Sequence, residues 1–356
     1  MKTQRITATE NHALPSYRTY ILLFLLAAWV MTIALGTAAG AVAVPFFTVV
    51  KIILSQLPLV QFEGWTPAQE MIVLTIRLPR VLMAALIGGG LAVSGAALQA
   101  FFRNPMADPG IIGISSGGAL AAVIAITTGF SAQHYLALPA SAFLGAWGAL
   151  CLVYAIASRQ DGTPAATLLL SGIAVDIFMG ALLSLILSRV DSVSAFREIF
   201  FWLMGGLDGR GWGHFKVAFW PILSGSAALL FFSRDLNLLL LEGETGAQAL
   251  GMEVKQVQRR LLIFCALIIG TSVAFSGTVP FVGLIVPHIV RLTLGPNHDT
   301  LLPASFLSGG ILLTGADLLA RTLAAPEELR LGVVTSLIGA PFFLYLLQKK
   351  RSNTLL

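Results

Sequence analysis

The chain is short of charge. Only 11% of its 356 residues are Asp, Glu, Lys or Arg, where a soluble domain carries roughly a quarter. With 56% hydrophobic residues and a mean hydropathy of +0.86, that shortage excludes a soluble fold. Cysteine is scarce as well. Cys151 and Cys265 both lie in apolar runs, so they read as small buried hydrophobes and not as a disulfide or metal pair. There is no P-loop, HExxH, paired-cysteine motif or nucleophile elbow. Gly88-Gly89-Gly90 lies inside an apolar run and follows no strand, so it has no phosphate to cradle. An enzyme is therefore disfavoured. No metal site, bound cofactor or nucleic-acid partner is expected, and any ATP used must be hydrolysed by another chain.

What the chain has is apolar length. Crossing a hydrocarbon layer of about 30 Å takes about 20 residues of helix, and the runs are continuous, unlike the alternating short segments of a membrane barrel. The runs predict an all-α polytopic membrane protein with about ten spans, at 20–40, 81–102, 110–129, 136–157, 165–187, 215–232, 261–274, 279–294, 301–320 and 331–347. Residues 1–19 read as a polar cytoplasmic tail, too long for the start of a signal peptide. Residues 20–348 form one transmembrane domain, and 349–356 form a second cytoplasmic tail. The excess of Lys and Arg in alternate loops puts both termini inside. Arg77, Arg80, Arg189, Arg197, Arg210, Arg321 and Arg330 nevertheless remain on the outer side. No internal repeat stands out, which argues against an inverted-repeat transporter.

The most informative stretch runs from Arg77 to Gly118. Arg77 and Arg80 share one helix face, and Gly88, Gly89, Gly90, Ala92, Ser94, Gly95, Ala96 and Ala97 would let helix backbones touch in lipid. The outer arginines either snorkel to lipid phosphates or dock an acidic partner. Asp317, one turn before Arg321, reads as its ion-pair partner. Asp176 falls mid-span with no basic residue at helical spacing, and an acid at that depth usually faces a cavity or a partner. His288 reads as a structural hydrogen-bonding residue. The turns Arg103-Asn104-Pro105-Met106 and Asp161-Gly162-Thr163-Pro164 are stiffened by proline. Two loops are long enough to fold: an outer one with an amphipathic stretch over 196–204, and an inner one over 234–260 read as two short helices broken at Gly251.

RLPRVLMAALIGGGLAVSGAALQAFFRNPMADPGIIGISSG, EGETGAQALGM, SGTVPFVGLIVPHIVRL, TGADLLART and ELRLGVVTSLIGAPFFLYLL together resemble the iron-chelate, cobalamin and haem permease family (FecCD-type) of ATP-binding-cassette importers. The resemblance covers nearly everything after about Ala68. It implies a type II importer permease that pairs with a second copy of itself around a central path. Two cytoplasmic ATPase subunits and an external binding protein complete the assembly in a bacterial cytoplasmic membrane. Arg77, Arg80 and Arg321 match positions that dock the binding protein. Glu244, Ala247 and Gly251 match the segment that couples to the ATPase, and Asn104, Met106, Ala165 and Ala166 match the inner gate. At Ala165 and Ala166 this chain departs from relatives carrying hydroxyl residues. The loop 196–204 resembles a helix that closes the outer mouth. The implied cargo is a metal chelate, first a ferric siderophore, with haem and cobalamin as rivals. An ion- or proton-coupled transporter working without an ATPase is the alternative, supported only by Asp176.

Overall fold

The apolar runs become helices, and no strand occurs among the described residues. The computed structural model describes residues 17–40, 42–57, 62–158 and 165–353, with only the backbone at Ile111 and over 346–353. The N-terminal tail up to residue 16, the turn 159–164 with Arg159 and Asp161 to Pro164, and the side chains of Lys349, Lys350 and Arg351 lie outside the described residues. The helices are α1 Tyr17–Ala38, α2 Phe46–Leu54, α3 Pro67–Met71, α4 Leu78–Phe101, α5 Ile114–Thr127, α6 Ala137–Ala157, α7 Ala165–Leu187, α8 Val193–Leu203, α9 Trp212–Phe231, α10 Ser233–Ala249, α11 Val254–Ser276, α12 Val282–Leu294, α13 His298–Thr322 and α14 Leu331–Asn353.

Among the described residues, seven helical stretches are long and apolar enough to cross a membrane, and α5, α12 and the Leu331–Tyr345 part of α14 are shorter apolar helices. These ten coincide with the ten expected spans, with corrected ends. The second starts at Pro67 and not at 81, because a capping box opens it: Gln69 N–H donates to the Thr66 hydroxyl at 3.2 Å and Thr66 N–H to the Gln69 side chain at 3.0 Å. A π-helical turn over Ile72–Arg77 then joins α3 to α4. The seventh starts at Val254 and not at 261, since its polar first turns stay helical beyond the apolar run. The short amphipathic α2 was not foreseen.

The centre of the molecule is α4, whose most apolar window is 94% buried, against 17% for α1 and α7. Its glycines explain the difference. A Cβ on Gly88 would collide with the carbonyl oxygen of Gly309 in α13, and one on Gly95 with that of Gly283 in α12. Backbones therefore meet where lipid gives no hydrophobic drive for association, as the small-residue run predicted. By contrast α5 and α12, with 14 and 13 residues, are only about 20 Å long and fall short of a full crossing. Irregular chain precedes each one. The two come close: Pro109, before α5, packs against Gly283 in the first turn of α12, and a cavity of about 130 Å³ beside them is lined by Asp108, Ser115, Ser276 and Thr278. Non-helical backbone at membrane depth is tolerated where protein or trapped water surrounds it.

Candidate functional site

At the end expected to face outward, α1 stops at Ala38 and exposes terminal carbonyls that no helical amide can reach. Two arginines from elsewhere satisfy them. Arg77 donates to the oxygens of Ala38 at 2.7 Å and Thr37 at 3.3 Å, and also to Val42. Arg321 donates to Gly36 at 2.8 Å and Ala39 at 2.9 Å. The negative end of a helix dipole favours cations at this spot. Arg77 and Arg321 are accordingly buried, 6% and 5% exposed, so these outer arginines neither snorkel to lipid nor stand free on the surface.

Arg80 is the third outer arginine and sits on the rim. It binds Asp317 at 2.9 Å, Glu328 at 2.8 Å and Asp208 at 3.2 Å. Asp317 is fully buried and bridges Arg80 to Arg321, which it meets at 2.9 Å one helical turn away, as the spacing predicted. Arg330 pairs with Asp208 and lies 3.8 Å from the centroid of the Phe201 ring, a cation–π contact. This clasp joins α4, α13, the exit of α8 and the loop before α14. Burial opposes the charge on Asp208, but its hydrogen bond with Glu328 and the cations Arg80 and Arg330 outweigh that and hold its pKa below the ordinary value. Burial and the same hydrogen bond push the Glu328 carboxyl up, against the pull of Arg80.

The expected amphipathic stretch after 191 is α8, capped by Ser192, which accepts from Ala195 N–H at 3.3 Å. It buries Ile199 and Trp202 and exposes Phe196, Phe200 and Phe201. Its exit is locked in place: Gly206 N–H donates to Ser276, Leu331 N–H to Gly205 and Gly332 N–H to Met204. The exit of α8, the α11–α12 break and the start of α14 are therefore tied to one another through backbone hydrogen bonds.

At the opposite end, expected to face inward, Arg103 adopts φ +46° as the chain leaves α4, a strained conformation for a residue other than glycine. Asn104 folds the next turn by accepting from Met106 N–H at 2.9 Å. The inner loop differs from two short helices broken at Gly251. Its first break is at Gly243, inside α10, with φ 72° and ψ −174°; a second lies between Ala249 and Val254, where Gly251 has φ +88°, and the chain after it belongs to the long α11. Glycine reaches these left-handed conformations without the steric penalty of a Cβ. Of the expected coupling residues, Ala247 is buried within the chain and Glu244 half-buried, while Gly251 is exposed beside Leu250, which the sequence reading did not single out. Asp176 projects from an exposed part of α7 near Ile173 and Ile177 and has no ion-pair or hydrogen-bond partner among the described residues. Ala166 is exposed at the start of the same helix. No cluster of three or more metal-ligating side chains occurs among the described residues.

Comparison with known proteins agrees with this arrangement. The FecCD transport family matches residues 25–349. A cobalamin import system permease of Halobacterium salinarum is 47% identical over 82% of this chain and 77% of its own length. A hemin transport system permease of Yersinia pestis is 43% identical over 79% of this chain and 84% of its own. A solved metal-chelate type ABC transporter in an inward-facing conformation superposes with a TM-score of 0.81 at 33% identity, covering 93% of this chain and 99% of that one. Helix content and span order thus belong to an ABC importer permease, and this chain is a member of the FecCD transport family.

Proposed function

We propose that this chain forms, with a second copy of itself, the membrane path of an importer that carries a metal chelate into the cytoplasm. The observation that carries the reading is the face of α7. It leaves Asp176 exposed on a single copy, and hydrocarbon is a costly surroundings for an acid. A second copy across a polar path gives that face an occupant. ATP is hydrolysed by two separate subunits seated against the Leu250–Gly251 tip of the inner loop, with Glu244 and Ala247 anchoring that tip to the permease. The external binding protein docks over the rim clasp at Arg80 and Arg330, while Arg77 and Arg321 brace the rim from below. Asn104, Met106, Ala165 and Ala166 line the inner gate. Both termini face the cytoplasm, and the membrane is the cytoplasmic one.

Cobalamin and hemin, the cargoes named for the two relatives, are both tetrapyrrole chelates. A tetrapyrrole is therefore placed ahead of a ferric siderophore here. Transport without an ATPase is the less favoured reading, because the chain matches the FecCD transport family and superposes on an ABC transporter. The test is ATP-driven uptake by the importer in proteoliposomes, offered hemin, cobalamin or a ferric siderophore with the matching binding protein. Accumulation of a tetrapyrrole is expected. Accumulation of the siderophore alone would overturn the cargo assignment, and uptake independent of ATP would overturn the importer.

A further inference from the structure

Gly243 and Glu244, consecutive residues of the inner loop, touch the turn after α4 and the start of α7. The guanidinium of Arg103 covers buried Gly243, its Nη1 lying 2.7 Å from where a Cβ would stand. One residue on, the Glu244 carboxylate accepts from the backbone amide of Ala165, the first residue of α7, at 3.4 Å, and from the Gln258 side chain of α11 at 3.0 Å. Neighbouring Cα atoms are about 3.8 Å apart, so the turn after α4 and the start of α7 converge on one peptide.

That peptide is also where α10 breaks. Its first half is fixed to the start of α13: the Ser233 hydroxyl donates to Asp299 at 2.5 Å, and Asn237 accepts from His298 N–H at 2.8 Å and donates to Asn297 at 3.0 Å. Past Gly243 these ties end, and the chain runs to the exposed Leu250–Gly251 tip. A helix clamped on one side of a non-helical glycine and loaded on the other bends at the glycine, as hinge motions generally concentrate in a few such residues.

We propose that Gly243–Glu244 is the joint that drives the turn after α4 and the start of α7, with Arg103 as the positioning residue for 104–106 and Glu244 as the positioning residue for 165–166. The inference rests on the reading of those residues as the inner gate and of the tip as the ATPase seat. The test uses the assembled importer in inside-out vesicles, with Cys151→Ser and Cys265→Ala, and a single thiol introduced by Met106→Cys or Ala166→Cys. Labelling rates with maleimide are compared with and without ATP plus vanadate.

Glu244→Ala should abolish the nucleotide response at position 166 and keep it at 106. Arg103→Ala should do the reverse, and Glu244→Gln, which retains the accepting oxygen, should restore the response at 166. Should Glu244→Ala fail to assemble, Ala165→Pro removes the same amide donor at a first helical position that tolerates proline, with the same expected loss. Responses that persist at both sites, or vanish together at both, overturn the joint. Absence of any nucleotide response in the parent overturns the gate reading instead.

Discussion

Asp317 holds the outer end together at the level of single atoms. It is fully buried and bonded to Arg80 and Arg321, so its removal leaves two guanidinium groups short of an anion. Asp317→Asn keeps the shape and deletes the charge. Breaking a buried pair this way costs about 3–5 kcal/mol, to be read as a lowered melting temperature in detergent, and an unchanged melting curve would refute the clasp. The exposed carboxylates behave differently with pH. The Asp208 pKa is depressed in the folded state, so its contribution is present above its ordinary 3.8 and lost as the pH falls through the folded value. The Glu328 pKa is raised, so its contribution is present below its ordinary 4.5 and lost as the pH rises through the folded value. The melting temperature should therefore rise as the pH falls from neutrality towards 4.5 and drop again below 3.8. Glu328→Gln should remove the rise and leave the drop. The Asp317–Arg321 pair was legible in the sequence because its partners lie one turn apart. Glu328 lies 248 residues from Arg80 and Asp208 lies 122 from Arg330, and no spacing rule reaches across such separations.

Among the elements, α4 shows what small residues accomplish. Gly95 lies against the backbone of Gly283, so Gly95→Ala must push α12 away or strain both helices. Overpacking of this kind costs about 1–3 kcal/mol. Gly148 has open space where a Cβ would go, so Gly148→Ala serves as the control. The paired melting temperatures decide the matter, and equal values for the two variants would remove the close-contact account. The existence of this helix and of the other long spans was plain from apolar length alone. Its true beginning was also written in the chain, as Thr66-Pro67-Ala68-Gln69, but was hidden behind the polar residues that separate it from the apolar run. The break in α10 was not legible. Gly243, Gly246 and Gly251 look alike in sequence, yet only Gly243 and Gly251 take a left-handed backbone, and what singles out Gly243 is the Arg103 side chain arriving from the turn after α4.

For the whole molecule, the uneven burial of its helices separates the packed interior from the faces that await occupants. An interior built on α4 and α11 contrasts with α7, whose window is 17% buried. Asp176→Asn is expected to leave the paired, folded assembly intact in size-exclusion chromatography and to lower ATP-driven uptake in proteoliposomes. Loss of the folded assembly would instead mark Asp176 as a structural group. The outer end of α1 carries one more consequence, which concerns time. The arginine that caps Gly36 and Ala39 lies 285 and 282 residues further along the chain. At a synthesis rate of roughly 5–20 residues per second, the first membrane helix waits on the order of 15–60 s for its last carbonyl partners. A ribosome that stops short of Arg321 therefore leaves a chain in which the carbonyls of Gly36 and Ala39 still lack their arginine partner.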